Sequence, residues 1–272
     1  FSPKFEAVIN TIPTGIIGGI SFVLYGMISA IGVRNVVENQ VDFTKSRNLI
    51  IAAVILVSAL GFNSVGGITG KLLPTGNVTD TITTTDGKTY EVSVVDAGTP
   101  TVFIKAESLG MQGTETPAEI EGDAALMARI EEIRGRCAEK IGLTDTWQNS
   151  TKKCPYSPFF AIVSPAKGYH TFDGKDVKQE DIDLVSRLLF MQMMHKTHPV
   201  TGTVCMGAAA RVPGSIVYQV LSERAKKDRK IVIGHPAGVI PVVSELEAQD
   251  GQYDLKTAAI LRTARVIMDG QV

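Results

Sequence analysis

Residues 194–215 constrain the fold more than any other stretch of this 272-residue chain. Between Val204 and Ala210 the side chains are small and mostly apolar, so a helix there can be buried on nearly every side. Pro199 fixes its own φ and pushes His198 out of the α region. Thr201 or Thr203 can cap the helix, because a short hydroxyl accepts from the N–H groups that open it. Gly202 lets another group approach the backbone closely, and Pro213-Gly214 stops the helix. A buried helix that opens on Thr201-Gly202-Thr203 points unpaired N–H donors at whatever lies in front of it, and such a start binds anions. A Thr-capped, alanine-rich helix is equally what plain core looks like, and Cys205 reads as a small buried hydrophobe as readily as a reactive thiol.

The charge balance excludes little but is informative. Lys and Arg number 27 against 28 Asp and Glu, which implies no nucleic-acid or other polyanion partner. The three cysteines, Cys137, Cys154 and Cys205, are odd in number and lack close pairing. That argues against a disulfide framework or a zinc site and makes a reducing compartment the default.

Residues 1–62 read differently from the rest. No charge occurs from Ala7 to Val33 or from Asn48 to Gly70, and each run reaches the roughly 20 apolar residues that cross a bilayer. The polar link between them carries Arg34, Lys45 and Arg47, offset by Glu38 and Asp42, so orientation is weakly marked. The opening Pro3-Lys4-Phe5-Glu6 is no basic leader, so a secretory signal is not expected. Two apolar helices are therefore expected, either inserted in a membrane or buried in a core.

Beyond residue 66 the pattern turns to mixed α and β. Residues 78–83 and 89–95 alternate and read as strands joined by a hairpin at Asp86-Gly87. Further strands are expected at 101–105, 159–164, 215–221, 230–234 and 239–246. Apolar positions at Leu126, Met127, Ile130, Ile133, Ala138 and Ile141 predict an amphipathic helix over 124–141, ended by Gly142. A second helix is expected over 180–195, with Met191, Met193 and Met194 as adaptable core. Residues 223–229 read as a charged turn, and 256–268 as a last helix or strand. Asn149-Ser150-Thr151 is a glycosylation sequon without a secretory context.

Five stretches carry a family resemblance. They are Gly66-Gly67-Ile68-Thr69-Gly70-Lys71-Leu72-Leu73-Pro74-Thr75-Gly76-Asn77, Ser93-Val94-Val95-Asp96-Ala97-Gly98-Thr99-Pro100, the 194–215 stretch, Ile233-Gly234-His235-Pro236-Ala237-Gly238, and Arg262-Thr263-Ala264-Arg265-Val266-Ile267-Met268-Asp269-Gly270. In this order they resemble the C-terminal half of the PrpF family, the 2-methylaconitate cis-trans isomerases, which are similar in fold to diaminopimelate epimerases. The resemblance implies an α+β half in which strands wrap around a central helix, spanning residues 66–272. It implies a cofactor-free, metal-free isomerase of small unsaturated tricarboxylates, working by proton abstraction and return, in the cytoplasm. Thr201, Gly202 and Thr203 would bind a substrate carboxylate. Cys205 stands near the position of a catalytic cysteine, and Lys71 would supply a cation. Thr75, Gly76 and Asn77 would add polar contacts. Asp96, Gly98 and Thr99 match a Gly-Asn-Pro-like turn, with Thr99 where Asn is common. His235 reads as a structural imidazole or a proton carrier. The family's main acid and base residues lie in its other half, so little activity is expected of this half alone unless a homodimer or the N-terminal half completes the site.

Residues 1–62 have a separate resemblance. Pro3-Lys4-Phe5, Ile12-Pro13-Thr14, Gly18-Gly19-Ile20-Ser21-Phe22, Tyr25-Gly26-Met27-Ile28 and Asp42-Phe43 resemble part of the uracil/xanthine permease family. Two spans cannot build that family's inverted-repeat core, so no transport is expected. The join near 59–67 falls in an apolar run rather than a polar linker, which implies a fusion of two unrelated pieces, with membrane association through residues 7–62.

Overall fold

A computed structural model of the protein describes residues 71–249 and 252–260, with Arg34, 37–42, Lys45 and Asn48 before them. The chain divides into two compact units, residues 1–65 and 66–272. The apolar runs at 7–33 and 48–70 lie outside the described residues almost entirely. Among the described residues no helix is long and apolar enough to cross a membrane.

In the second unit the hairpin forms as its alternation dictates. β1 (Asp80–Thr83) and β2 (Thr89–Asp96) pair antiparallel, with Ile82 opposite Tyr90, and Gly87 in the turn takes a φ of +79°, which suits a residue without Cβ. β3 (Pro100–Lys105) returns antiparallel to β2. Two helices follow. α1 (Pro117–Gly122) opens on a reciprocal cap between Thr116 and Glu119. α2 (Ala124–Lys140) is capped by Asp123 and buries Leu126, Ile130, Ile133 and Cys137, the face set by its 3.6-residue period. A short α3 (Ser150–Lys153) leads into β4 (Phe159–Pro165), parallel to β3.

The sheet continues through β7 (Leu184–Phe190), antiparallel to β4, then β9 (Lys230–His235), parallel to β7. β10 (Gly238–Gln249) and β11 (Gln252–Ile260) close the series as a long hairpin. Among the described residues the strand order is β1-β2-β3-β4-β7-β9-β10-β11, with β8 (Met193–Met194) beside β7 and β5 (Tyr169–His170) pairing β6 (Asp176–Val177) apart. α4 (Val200–Ala209) packs against β2 and β3 near one side of this order and against β10 and β11 at the other. A sheet that touches one helix from both its flanks must curve around it, so α4 is the axis of the fold. α5 (Ile216–Val220) and α6 (Glu223–Lys227) follow it on the same side.

Small residues make this closure fit. A Cβ on Gly202 would lie 2.6 Å from Leu188 Cδ1, and one on Gly207 2.9 Å from Val242 Cγ2. The core on this face joins Val95, Phe103, Ala161, Leu188, Cys205, Met206 and Ile233. On the opposite face α2 covers Val102, Ile104, Phe160 and Leu189.

Three expected elements change type. Residues 180–195 form no helix: β7 and β8 run there, joined by Met191 and Gln192 at φ of +54° and +57°. β7 is buried on both faces, so its run lacks the alternation that marks a strand. The segment 215–221 is the helix α5 rather than a strand, because the Ser215 hydroxyl caps it by accepting from Tyr218 N–H. The charged turn at 223–229 is likewise largely α6, capped by Ser222. Residues 256–260 of the last segment are strand, the end of β11, and those beyond lie outside the described residues.

Asp183 ties three segments together. Its carboxylate is 1% exposed and accepts from the Ser222 hydroxyl, from Arg224 Nη2 at 2.5 Å and from Val232 N–H at 2.8 Å. Asp183→Ala leaves buried donors unanswered and is expected to destabilise the protein by about 3 kcal/mol, measured by denaturant unfolding. A loss below about 1 kcal/mol would contradict this role.

Candidate active site

One edge of the sheet gathers the polar residues. β2 ends and β3 begins at the turn 97–99, β4 begins at Phe159 opposite Thr101, and β9 turns into β10 at His235 and Gly238. The first turn of α4 packs here, with Gly202 against Leu188, Pro199 and Phe159.

The cap is not the one expected. Pro199 is the N-cap, with no side-chain cap bond, and Thr201 and Thr203 lie inside the helix. Val200, Thr201 and Gly202 therefore hold the first N–H groups, which have no partner within a helix. Thr203 N–H already bonds Pro199 O at 2.8 Å. Thr201 is exposed, whereas Gly202 and Thr203 are buried. Of the three residues expected to bind a carboxylate, Thr201 and Gly202 lie in the first turn, and the Thr203 hydroxyl serves the interior.

Thr203 anchors a buried polar chain that the sequence did not announce. Its hydroxyl lies 2.8 Å from His198 Nδ1 and 2.9 Å from Pro199 O, and His198 Nε2 lies 3.2 Å from Ser186 Oγ. Register explains the grouping. Val185 pairs with Gly234, so Ser186 and His235, the next pair, point together to the α4 face. His195 N–H bonds Leu188 O at 2.8 Å, on the same edge of β7 that β9 uses, since β4 fills the other edge. The signal for this chain was present in the spacing of His195 and His198, but only strand pairing supplies Ser186.

Burial pushes His198 down to about 3, with His235 and His195 adding to the effect. Burial likewise pushes His235 down to about 4, with Arg187 and His195 opposing its charge as well. His235 Nδ1 accepts from Ala237 N–H at 3.2 Å, so this ring is neutral and fixed.

Cys205, expected near the position of a catalytic cysteine, lies in the core. Its side chain is wholly buried and its thiol donates to Val95 O at 3.2 Å. Burial drives its pKa up to about 12, so it is a protonated core thiol touching the Asp96–Thr101 turn from beneath. Asp96 N–H bonds Leu72 O at 2.9 Å, which brings exposed Lys71 beside that turn. Gly98 has a φ of +95°, and the Thr99 hydroxyl donates to Gly98 O at 2.8 Å. Lys71, Asp96, Gly98 and Thr99 thus lie around one turn, whose neighbours Leu72 and Ala97 pack on the core that holds Cys205 and Met206 of α4.

Thr75, Gly76 and Asn77 do not join them. They form a turn with Gly76 at φ +80°, and Asn77 Nδ2 donates to Asp80 Oδ1 at 2.9 Å beside Lys140 Nζ. Burial alone would raise the Asp80 pKa, but hydrogen bonds from Thr75, Asn77 and Lys140 carry it below the usual carboxylate value. Among the described residues no group of three or more His, Cys, Asp or Glu is placed to hold a metal ion.

A curved mixed sheet around a small-residue helix defines an α+β protein. The chain belongs to the PrpF family, whose profile, described as PrpF protein, matches residues 27–272. It is 47% identical over 211 residues to the 3-methylitaconate isomerase of Eubacterium barkeri, covering 77% of this chain and 54% of that protein. It is 34% identical over 203 residues to the 2-methyl-aconitate isomerase of Shewanella oneidensis, covering 75% and 50%. The crystal structure of a methylitaconate-delta-isomerase matches with a TM-score of 0.65 and 45% identity, over 72% of this chain and 51% of that one. The chain spans about half the length of the curated relatives it matches. The family match reaches into residues 27–62, and the expected permease fragment, fusion and membrane insertion find no support in these comparisons.

The two low histidine pKa values set a pH dependence. The unfolded chain takes up protons below pH 6.5 that the folded chain refuses until about pH 4 or 3. Stability from these neutral rings is complete above pH 6.5 and is lost as pH falls through that window. Each ring contributes a limiting slope of about 1.4 kcal/mol per pH unit. Urea unfolding from pH 7 to 4.5 should show a shallower slope for His198→Gln than for the wild type; equal slopes would refute the neutral assignment.

Proposed function

We propose that the chain forms the carboxylate-binding wall of a cofactor-independent isomerase acting on small unsaturated di- and tricarboxylates of the methylitaconate and methylaconitate type. The reaction removes a proton from a carbon conjugated through the double bond to a carboxylate. The C–H electrons become a dienolate, and a proton returns at another carbon with the double bond shifted. No group is gained or lost, so the protein must stabilise the developing charge and carry one proton.

The observation that supports this most is the open start of α4. The N–H groups of Val200, Thr201 and Gly202 sit at the positive end of a helix dipole, with Gly202 against Phe159, whose strand partner Thr101 follows the Asp96–Thr99 turn. Preorganised donors of this kind strengthen as charge builds on a carboxylate oxygen. Lys71 adds a cation next to Leu72, whose carbonyl accepts from Asp96 N–H, and Thr201 is exposed. Neutral His198, held between Ser186 and Thr203, fixes the approach to the helix without adding charge. The domain boundary near residue 66 and a second wall for the cleft, given by further polypeptide or a second copy, belong to the same reading.

The test is proton exchange. The polypeptide is incubated with methylitaconate and 2-methylaconitate in D₂O and followed by NMR for deuterium uptake and isomer change. Val200→Pro removes one first-turn N–H at a position where proline fits a helix. It is expected to slow exchange about 100-fold while leaving the unfolding temperature unchanged, as the loss of one oxyanion donor does elsewhere. Unchanged exchange in this variant would remove α4 from the mechanism.

A further inference from the structure

β3 has two ends, and the one away from the α4 entrance carries a cavity of about 290 Å³. Five residue steps at about 3.3 Å separate Pro100 from Lys105, so the cavity lies about 17 Å along the strand from the Asp96–Thr99 turn. Its volume is that of about ten waters, too large for a single bound ion and near the lower range of organic-ligand pockets.

Its lining is chemically divided. Met111, Val163 and Val220 are apolar and buried, and they form the floor. Lys105 and Lys167 bring two ammonium groups to it, with Gln112 between the loops. The charge of the lining is +1, since Glu107 is its one carboxylate. Lys105 Nζ stands 4.0 Å from Glu107 Oε1, and the Glu107 side chain is 80% exposed, so this pair is a weak surface contact. Lys167 Nζ donates to Gln112 O at 3.2 Å and to its Oε1 at 3.1 Å, which leaves one of three ammonium protons for a ligand.

The walls are fixed before anything binds. Gly113 sits so close to Ser164 that a Cβ would fall 2.2 Å from its Oγ. The Glu115 carboxylate accepts from the N–H groups of Gln112 and Gly113 at 2.6 and 2.8 Å. Buried Arg187 then grips the same loop, donating to Glu115 O at 2.6 Å and Thr114 O at 3.0 Å. A rigid, half-apolar hollow with spare cationic donors loses little entropy on binding.

We propose that this cavity is a second ligand site, taking a small organic carboxylate whose charge is met by Lys105 and Lys167 and whose carbon body rests on Met111, Val163 and Val220. The site is independent of the isomerase reading. It is tested on the whole chain with methyl-labelled Met, Val and Ala, titrated with phenylacetate and with its neutral isostere phenylacetamide. Phenylacetate should shift the Met111, Val163 and Val220 methyl signals with saturation in the millimolar range, and phenylacetamide should bind about tenfold more weakly, as for a lost charge-assisted bond. Lys105→Met with Lys167→Met should abolish that preference while the remaining methyl spectrum stays the same. Equal binding of acid and amide, or no saturable shift at these methyls, would overturn the proposal.

Discussion

Closure of the sheet around α4 is the contact on which everything else depends. It is possible because the helix is narrow. Gly202 and Gly207 let Leu188 and Val242 come to the helix backbone, and Cys205, Ala208 and Ala209 fill the remaining space without side-chain length. A larger residue at either glycine would force neighbours off their rotamers at a cost of about 1–3 kcal/mol. The same closeness sets the chemistry, because a helix held on all sides keeps its first N–H groups in one direction.

The polar residues of the entrance are arranged by pairing rather than by proximity in sequence. Ser186 and His235 are 49 positions apart, yet the β7–β9 register turns both toward α4. Burial holds His198 and His235 neutral, and Lys71 brings a cation next to Leu72, which pairs with Asp96. Cys205, deep beneath that turn, contributes volume and a hydrogen bond to Val95 O.

Much of this was legible in the residues. The hairpin, α2 and α4 announce themselves by alternation, by an apolar stripe and by small residues between Pro199 and Pro213-Gly214. The grouping of α4 with Asp96, Gly98 and Thr99 followed from resemblance. What stayed hidden had physical causes. β7 is covered on both faces, so its sequence Leu184–Phe190 carries no period, and Arg187 inside it looks like a solvated charge while its guanidinium lies over the Tyr169 ring. α5 is rich in β-branched residues, and only the Ser215 cap overrides their preference for strand. The cap on α4 failed as an expectation because the Thr203 hydroxyl turns inward, toward Pro199 O and His198.

Asp183 carries a consequence for how the molecule opens. Its donors come from Ser222, Arg224 and the amide of Val232, three points that meet only when β7, α6 and β9 are all in place. Fraying α6 alone would strand a buried carboxylate, so local excursions of that helix are penalised far beyond the few bonds it makes. Freeing the Val232 amide therefore requires the buried Asp183 carboxylate to lose a donor, which couples opening of β9 to β7 and α6.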